Sequence, residues 1–336
     1  MATEVLRPDW KAIGRSVRGF SHLRRSMPNQ DSIGWKLSDS GLVLAISDGH
    51  GSPRCFRSDR GASIAVLAAI HVMKVLLEMN ASGVDLPAID ERLVERLPQD
   101  LVRLWTAEVM EDIQTAPLSD EELNALTNKC GSEAAESALK NPLAVYGATV
   151  IAVAATDAFI AYLQLGDGDI VTVSKDGEAS RPLPGDERLF ANETTSLCLL
   201  EAWKDFRCRL QPVHHRPPAL VLVSTDGYSN SFRDDSGFMK VGPDILNIVR
   251  SEGLEQLDSE LEKWLTMTSQ RGSGDDITLG VVCNVNGIAE TAGVGDGEPE
   301  ADNPPVEADA DSQTIAGAPS MAGTSAYELS AEGEEQ

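Results

Sequence analysis

The stretch Leu42-Val43-Leu44-Ala45-Ile46-Ser47-Asp48-Gly49-His50-Gly51-Ser52 organises this chain. It begins as an apolar run of strand length and stops at a carboxylate, a glycine, a histidine and a second glycine. Aspartate and glycine are unfavourable inside strands and common in turns. The stretch therefore predicts a strand that ends at Asp48. Two interpretations of its end stay open: a simple turn, or a turn that aims a carboxylate and an imidazole above the sheet.

The same pattern recurs at distant places in the chain. Apolar runs lead into Asp167-Gly168 and into Asp226-Gly227, and Asp275-Asp276 directly precedes the apolar run 277–282. Carboxylates at several strand ends suit Mg²⁺ or Mn²⁺, which are hard cations that prefer oxygen ligands. Two such ions sharing one carboxylate lower the pKa of a bridging water and clamp a phosphoryl oxygen, so the pattern indicates hydrolysis of phosphate esters.

The composition excludes several classes of function. Among 336 residues, 53 are acidic and 28 basic, and the net charge of -25 argues against partners such as nucleic acids or an anionic membrane surface. Five scattered cysteines without a CxxC pair predict neither a disulfide framework nor a zinc site. The N-terminus lacks an apolar core of signal-peptide length, and the apolar segment 62–79 contains His71 and Lys74. We expect a soluble, cytoplasmic monomer.

The residues around the first motif predict a β-hairpin. Residues 33–37 form a short strand, and Ser38-Asp39-Ser40-Gly41 turns the chain into the next strand. Asp31 precedes the first strand and Asp48 follows the second, so the ladder brings these two carboxylates together.

The remaining chain shows alternating blocks of helix and strand. Helical periodicity covers 58–78, a helical segment of about 87–142 interrupted at Pro98 and Pro117, and two patterns within 243–270. Three apolar runs joined by short turns (147–155, 158–165 and 169–173) predict an antiparallel meander, and 206–211 and 219–225 predict a further pair. Residues 1–285 form one predicted domain, and 286–336 a disordered acidic tail rich in Ala, Gly and Pro.

Other polar residues near the motifs are candidates for phosphate chemistry. His50 is placed to protonate a departing oxygen, or it is a turn histidine without a role. Arg24 and Arg25 supply planar donors for a phosphate dianion, or they belong to a solvated basic loop. His22 is a further candidate in the same segment.

Taken together, the motifs resemble a known family. Gln30-Asp31, Asp48-Gly49-His50-Gly51, Gly147-Ala148-Thr149, Gly166-Asp167, Thr225-Asp226-Gly227 and Asp275-Asp276-Ile277-Thr278 are similar in order and spacing to the metal-dependent PP2C-type (PPM) serine/threonine protein phosphatases. The similarity extends over about 14–285. It implies an α/β four-layer αββα sandwich with two central antiparallel β-sheets flanked by helices.

The resemblance also implies roles for individual residues. Asp48 matches the ligand that bridges two Mg²⁺ or Mn²⁺ ions, Gly49 the backbone-carbonyl ligand, and His50 the proposed general acid. The other carboxylates of the metal centre match Asp31, Asp226 and Asp275, and Asp167 matches the residue that serves a third ion in many bacterial members.

Two departures affect the match. Gln30 stands where many members have glutamate, and the position of the phosphate-binding arginine holds Ser26. A loop extended by one residue at Pro28 makes Arg25 the matching residue. Alternatively His22 takes its place, as a divergent bacterial subgroup with a Gly-x-x-His…Gln-Asp pattern implies.

The resemblance implies a phosphatase that acts on phosphoserine and phosphothreonine by a dinuclear-metal-activated hydroxide. Its substrates would be phosphorylated proteins, such as a cognate serine/threonine kinase or its targets. Two alternatives stay open. One is a catalytically silent module of the same fold that binds or scaffolds phosphoproteins, and the other is a hydrolase of small phosphorylated molecules.

Overall fold

The structure, a computed structural model, describes residues 9–185, 195–213 and 217–289. The predicted tail lies outside these residues from residue 290 onward, whereas residues 286–289 belong to a short helix. The strands are β1 (Trp10–Val17), β2 (Ser32–Ser38), β3 (Gly41–Ser47), β4 (Val150–Ala155), β5 (Phe159–Leu165), β6 (Asp169–Val173), β7 (Ala179–Ser180), β8 (Arg207–Pro212), β9 (Leu220–Ser224) and β10 (Ile277–Asn284).

The helices occupy the segments between these strands. They are α1 (Phe20–Arg25), α2 (Ser58–Ala81), α3 (Leu86–Glu91), α4 (Leu97–Thr115), α5 (Asp120–Cys130), α6 (Ser132–Lys140), α7 (Asp226–Ser229), α8 (Asp235–Met239), α9 (Val241–Glu252), α10 (Leu254–Arg271) and α11 (Val285–Ala289). A π-helical turn (Arg92–Arg96) links α3 to α4, and 3₁₀ turns cover Pro142–Tyr146 and Ala202–Asp205.

Two antiparallel five-stranded sheets form the centre of the fold. The strand order is β1-β10-β9-β6-β7 in one sheet and β2-β3-β4-β5-β8 in the other. In β3, Leu42, Leu44 and Ile46 face the opposite sheet, while Val43 and Ala45 face the helices that include α2. Because both faces of β3 are buried, its sequence is a continuous apolar run instead of an alternating one. The predicted four-layer αββα sandwich is confirmed.

The predicted meander is wrong. β4 and β5 pair with each other, but β6 lies in the other sheet beside β9. The chain crosses between the sheets at Gly166-Asp167-Gly168, where Gly166 has a φ of 107° that favours glycine. β8 and β9 are likewise in different sheets, since β8 pairs with β5 and β9 with β10. The crossing places Asp167 at the shared end of the two sheets.

Helix α2 covers the sheet that contains β3. It is long and apolar enough to cross a membrane, with a mean hydropathy of 1.8, but half of that apolar window is buried inside the protein. Its buried residues, such as Val66, Met73 and Leu76, belong to the same core as Val43 and Ala45. A buried helix face of this kind is typical of a protein core.

A buried arginine ties the helical segment to the start of α2. Arg57 donates to both carboxylate oxygens of Glu122 at 2.7 Å and to the carbonyl of Ala116 at 2.6 Å. It also donates to the hydroxyl of Tyr146, which in turn donates to Asp112 at 2.6 Å. Glu122 completes a capping box with Ser119 at the start of α5. The helices after α2 are therefore anchored next to the loop that follows β3.

Candidate metal centre

The β2–β3 hairpin brings Asp31 and Asp48 to the same end of the sheet. Ser32 pairs with Ser47, so the residues just outside this pair are the two aspartates. Asp31 is buried, and its Oδ2 accepts hydrogen bonds from the hydroxyls of Thr225 at 2.7 Å and Thr278 at 2.8 Å. Because those threonines belong to the other sheet, Asp31 joins the two sheets beneath the site.

The turn after β3 is held by backbone contacts on both sides. Asp48 and Thr149 exchange two hydrogen bonds, one from the Asp48 amide to the Thr149 hydroxyl and one from the Thr149 amide to the Asp48 carbonyl. The Gly49 amide donates to the carbonyl of Gln30 at 3.1 Å. A Cβ at position 49 would lie 2.6 Å from the carbonyl oxygens of Gln30 and Ser58, so only glycine fits here.

Asp226 enters the site from the opposite sheet. It follows shortly after β9, and its carboxylate lies close enough to that of Asp48 for the two charges to interact. Burial raises the pKa of Asp48 well above the ordinary value, and repulsion by Asp31, Asp226 and Asp167 adds to the increase. Burial also raises the pKa of Asp226, with repulsion by Asp167 and Asp275. The five predicted carboxylates therefore interact within one site.

This donor set fits hard divalent cations. Two carboxylates in contact repel each other when ionised, and a cation between them removes that repulsion. Gln30 Oε1 is buried and accepts no hydrogen bond from the described residues, so a neutral oxygen is also available where many family members have glutamate. Carboxylate, amide and backbone oxygens are the ligands that Mg²⁺ and Mn²⁺ prefer.

Asp167 lies on the turn that crosses between the sheets. Gln164 Nε2 donates to the carbonyls of Gly168 at 2.5 Å and Gly166 at 3.4 Å, and Arg207 donates to Gly166 at 3.1 Å. These contacts fix the turn from behind. Asp167 is partly exposed and acts electrostatically on Asp48 and Asp226.

His50 follows the Asp48-Gly49 turn. Its amide donates to the carbonyl of Gly147 at 3.1 Å, and its ring packs against the same glycine, where a Cβ would lie 2.6 Å from the histidine Cδ2. Burial lowers the pKa of His50, and the nearby charge of Asp167 opposes that decrease. The imidazole is thus held beside the carboxylates by contacts that leave its ring partly exposed.

The two aspartates before β10, Asp275 and Asp276, have different environments. The Asp276 side chain is 4% exposed and accepts hydrogen bonds from the amides of Gly19 at 2.6 Å and Gln30 at 2.7 Å. It also accepts one from His22 Nδ1 at 2.9 Å. The Asp275 side chain is 55% exposed and contributes to the repulsion at Asp226. Asp275 is therefore the more accessible member of the pair, and Asp276 fixes the N-terminal segment.

A sequence model of the family described as Protein phosphatase 2C matches residues 18–266. The chain belongs to the protein phosphatase 2C family. Comparison with curated protein sequences gives no match.

Several solved structures are similar to this family member at low identity. The serine/threonine phosphatase PstP/Ppp of Mycobacterium tuberculosis is 16% identical, with a TM-score of 0.46, and the match covers 82% of this chain and 98% of that one. PppA of Pseudomonas aeruginosa is 19% identical, with a TM-score of 0.47 and coverage of 82% and 98%. A PstP catalytic domain described in complex with two manganese ions is 17% identical, with a TM-score of 0.44 and coverage of 82% and 97%.

The structure separates the three candidates for phosphate binding in this phosphatase 2C chain. Arg24 and Arg25 end α1 and are exposed, and neither makes a hydrogen bond or ion pair with the described residues. His22 is buried, and both ring nitrogens face carboxylates. The potential ligand atoms of His22, Asp275 and Asp276 lie within 4.8 Å of one another. His22 is thus occupied by protein groups, and the arginines are accessible to a ligand.

Sequence reasoning missed the residues that support the site. Thr225 and Thr278 lie within the recognised motifs, but their hydroxyls contact Asp31 from the other sheet, which no local pattern reveals. The pair Asp275-Asp276 was recognised in the sequence. Only the burial of Asp276 in the structure shows that its carboxylate accepts hydrogen bonds from the protein. Gln164 lies within an apolar strand. A polar amide at such a position indicates a hydrogen-bond partner, which the structure shows to be the carbonyl of Gly168.

Proposed function

We propose that the chain is a Mg²⁺- or Mn²⁺-dependent protein phosphatase that hydrolyses phosphoserine and phosphothreonine esters. The observation that carries the proposal is the proximity of the Asp48 and Asp226 carboxylates, with the charges of Asp31, Asp167 and Asp275 around them. Family membership supports the same activity. Two neighbouring carboxylates repel each other when both are ionised, and a bound divalent cation removes that repulsion.

Individual residues would hold two ions, with provision for a third. Asp48 would contribute to both ion sites, and Asp226, Asp275 and the Gly49 carbonyl would supply further oxygen ligands. Asp31, which accepts hydrogen bonds from the Thr225 and Thr278 hydroxyls, would add a further carboxylate, and Asp167 would hold the third ion. Bound Mg²⁺ or Mn²⁺ supplies neutralisation of the phosphoryl charge and a lowered pKa for water at the site.

His50 delivers the proton that the departing serine or threonine oxygen needs. The ring is positioned by Gly147 and stays partly exposed beside the carboxylates. Because burial lowers its pKa, the protonated form is a readily released acid. The charge of Asp167 favours protonation of the imidazole and offsets part of that burial effect.

Arg25 is our choice for recognition of the phosphate dianion. Its guanidinium is exposed at the end of α1 and is not engaged by a described carboxylate. Arginine presents paired donors that match phosphate oxygens. We assign the substrate to phosphorylated proteins, such as a cognate serine/threonine kinase or its targets, and the protein to the cytoplasm.

A panel of substrates tests this proposal against hydrolysis of small molecules. Phosphate release in Mn²⁺ is measured for phosphothreonine, phosphoserine and phosphotyrosine peptides and for sugar phosphates, with and without chelator. We expect kcat/KM to be highest on the phosphothreonine and phosphoserine peptides, and chelator to abolish all release. A preference for the sugar phosphates would contradict the protein substrate, and no release from any of them would support the silent module.

A further inference from the structure

His22 lies between two successive carboxylates at the edge of the proposed metal centre. Its Nδ1 is 2.9 Å from Asp276 Oδ2, and its Nε2 is 3.5 Å from Asp275 Oδ1. The side chain of His22 is only 8% exposed. A buried imidazole whose two nitrogens both face carboxylates is an unusual arrangement, because a buried charge or polar group is costly unless it is paired.

The contact between His22 and Asp276 is held in place by the backbone. Asp276 accepts from the amides of Gly19 and Gln30 as well as from His22, so both of its oxygens are engaged. The hydrogen bond to Asp276 requires that Nδ1 carries a proton. The ring orientation follows from this contact, and Nε2 is left pointing at Asp275.

Asp275 differs from Asp276. Its side chain is 55% exposed, and the Oδ1 that faces His22 also accepts the amide hydrogen of Asp276 at 2.9 Å. Oδ2 accepts no hydrogen bond from the described residues. An exposed carboxylate must lose rotamer freedom before it can ligate an ion, and contacts to one oxygen reduce that cost for the other.

We propose that His22 is a positioning residue that holds Asp275 ready for a divalent cation. Backbone amides fix Asp276, Asp276 fixes the ring of His22, and the ring in turn restricts the rotamers of the exposed Asp275 side chain. Partners behind metal ligands of this kind typically change metal affinity about 10–100-fold when they are replaced. The inference rests on the metal centre of the proposed function, and it excludes His22 as the group that binds the substrate phosphate.

Two substitutions of His22 separate its contacts. In His22→Asn the amide takes the place of Nδ1, so the bond to Asp276 is kept and the contact with Asp275 is lost. In His22→Gln the longer amide reaches the place of Nε2. Mn²⁺ is titrated by calorimetry into each chelator-treated protein, with His71→Asn as the control because His71 is exposed on α2. We expect a loss of Mn²⁺ affinity of about 10–100-fold for His22→Asn. The His22→Gln variant keeps the contact with Asp275 but gives up the bond to Asp276, so its loss should be smaller than that of His22→Asn, and the control should not change.

A double-mutant cycle connects this effect to Asp275. In the Asp275→Asn background, His22→Asn should cause no further loss of Mn²⁺ affinity. An unchanged Mn²⁺ affinity in His22→Asn overturns the proposal, and so does weaker binding of inorganic phosphate to that variant at unchanged Mn²⁺ affinity. If wild type itself binds no Mn²⁺, or binds it equally after Asp48→Asn, the proposed function fails instead.

A second measurement decides the matter even if His22→Asn does not fold. The ring nitrogens of ¹⁵N-histidine-labelled wild type are followed by NMR during addition of Mg²⁺. We expect the His22 signals to shift with Mg²⁺, to lose this response in Asp275→Asn and to keep it in Asp39→Asn, which alters an exposed turn carboxylate. His22 signals that ignore Mg²⁺ in wild type overturn the proposal.

Discussion

The carboxylates of Asp48 and Asp226 are close neighbours, although they follow strands of different sheets and repel each other when both are ionised. Asp48 directly follows β3, and Asp226 starts α7 shortly after β9. The fold therefore maintains a repulsive interaction between two sheets at one end of the sandwich. Such strain is typical of a functional site, and a bound divalent cation relieves it.

The metal-free protein should lose stability as the pH rises. Burial and repulsion raise the pKa values of Asp48 and Asp226, so the folded state holds protons that the unfolded chain releases near pH 4. The stabilising contribution is complete below about pH 4 and is lost as the pH rises through the folded pKa values. We expect the Tm of chelator-treated protein to fall as the pH rises above about 4, and Mn²⁺ to restore it at the higher pH.

The variant Asp226→Asn is the control for this pH dependence. Removing one of the two charges should flatten the fall in Tm and remove the response to Mn²⁺, whereas Asp39→Asn should behave as wild type. A metal-free wild type whose Tm rises steadily over this range would show that the carboxylates are not under mutual strain.

The substitution His50→Gln should reduce activity most on substrates with poor leaving groups. A threonine alkoxide needs a proton on departure, while nitrophenolate does not, and general acid catalysis typically contributes about 10²–10⁴-fold. We expect a loss of that size on a phosphothreonine peptide and a much smaller one on nitrophenyl phosphate, with Mn²⁺ affinity retained. The measurement is kcat across aryl phosphates of graded leaving-group pKa, and a slope equal to that of wild type would rule out the acid role.

Glu122→Gln should destabilise the protein by about 1–3 kcal/mol at neutral pH, the usual contribution of a hydrogen bond to a charged group. The Arg57 side chain is 5% exposed and Glu122 is 29% exposed, so the pair is shielded from water. The hydrogen bonds of Arg57 lower the pKa of Glu122 to about 2. The contribution is present above the unfolded pKa of about 4.5 and is lost as the pH falls through about 2.

Urea unfolding of wild type and Glu122→Gln over this acid range checks the prediction, and Glu121→Gln is the matched control because its side chain is exposed one residue earlier. The difference in unfolding free energy between wild type and Glu122→Gln should shrink toward pH 2. A difference that is constant with pH would mean that the ion pair contributes nothing through the charge of Glu122.

Arg25→Gln should raise KM about tenfold on phosphopeptides and weaken inhibition by inorganic phosphate, as the loss of a charge-assisted contact predicts. Mn²⁺ affinity should not change. Arg24→Gln is measured in parallel, and Arg96→Gln, an exposed position on the helical segment, is the control. A larger effect for Arg24→Gln would transfer phosphate recognition to its neighbour.

The parts of the site that depend on chain neighbours were predictable from the sequence. Asp31 and Asp48 flank a hairpin, so strand pairing alone brings them together. Asp167 was placed correctly at a strand end, but the turn that carries it was taken for a hairpin because a short Gly-rich turn looks the same whether the next strand pairs or crosses. Sheet membership depends on which partner buries the apolar face, and no local pattern encodes that choice.

Contacts between distant segments were not predictable. Glu122 lies 65 residues after Arg57, and neither position shows its partner in the sequence. The role of His22 was open for the same reason, since its carboxylate partners follow about 250 residues later and the doublet at 275–276 does not show which member is buried.

In the proposed function, the divalent ions that catalyse phosphate release bind at the Asp48–Asp226 site. The most direct test is Mn²⁺-dependent release of phosphate from a phosphothreonine peptide, compared between wild type, Asp226→Asn and the exposed-turn control Asp39→Asn. We predict turnover that chelator abolishes in wild type and Asp39→Asn, and a loss of about 10³-fold or more in Asp226→Asn at any Mn²⁺ concentration. Turnover by Asp226→Asn at the wild-type rate, with the same dependence on Mn²⁺, would contradict the account.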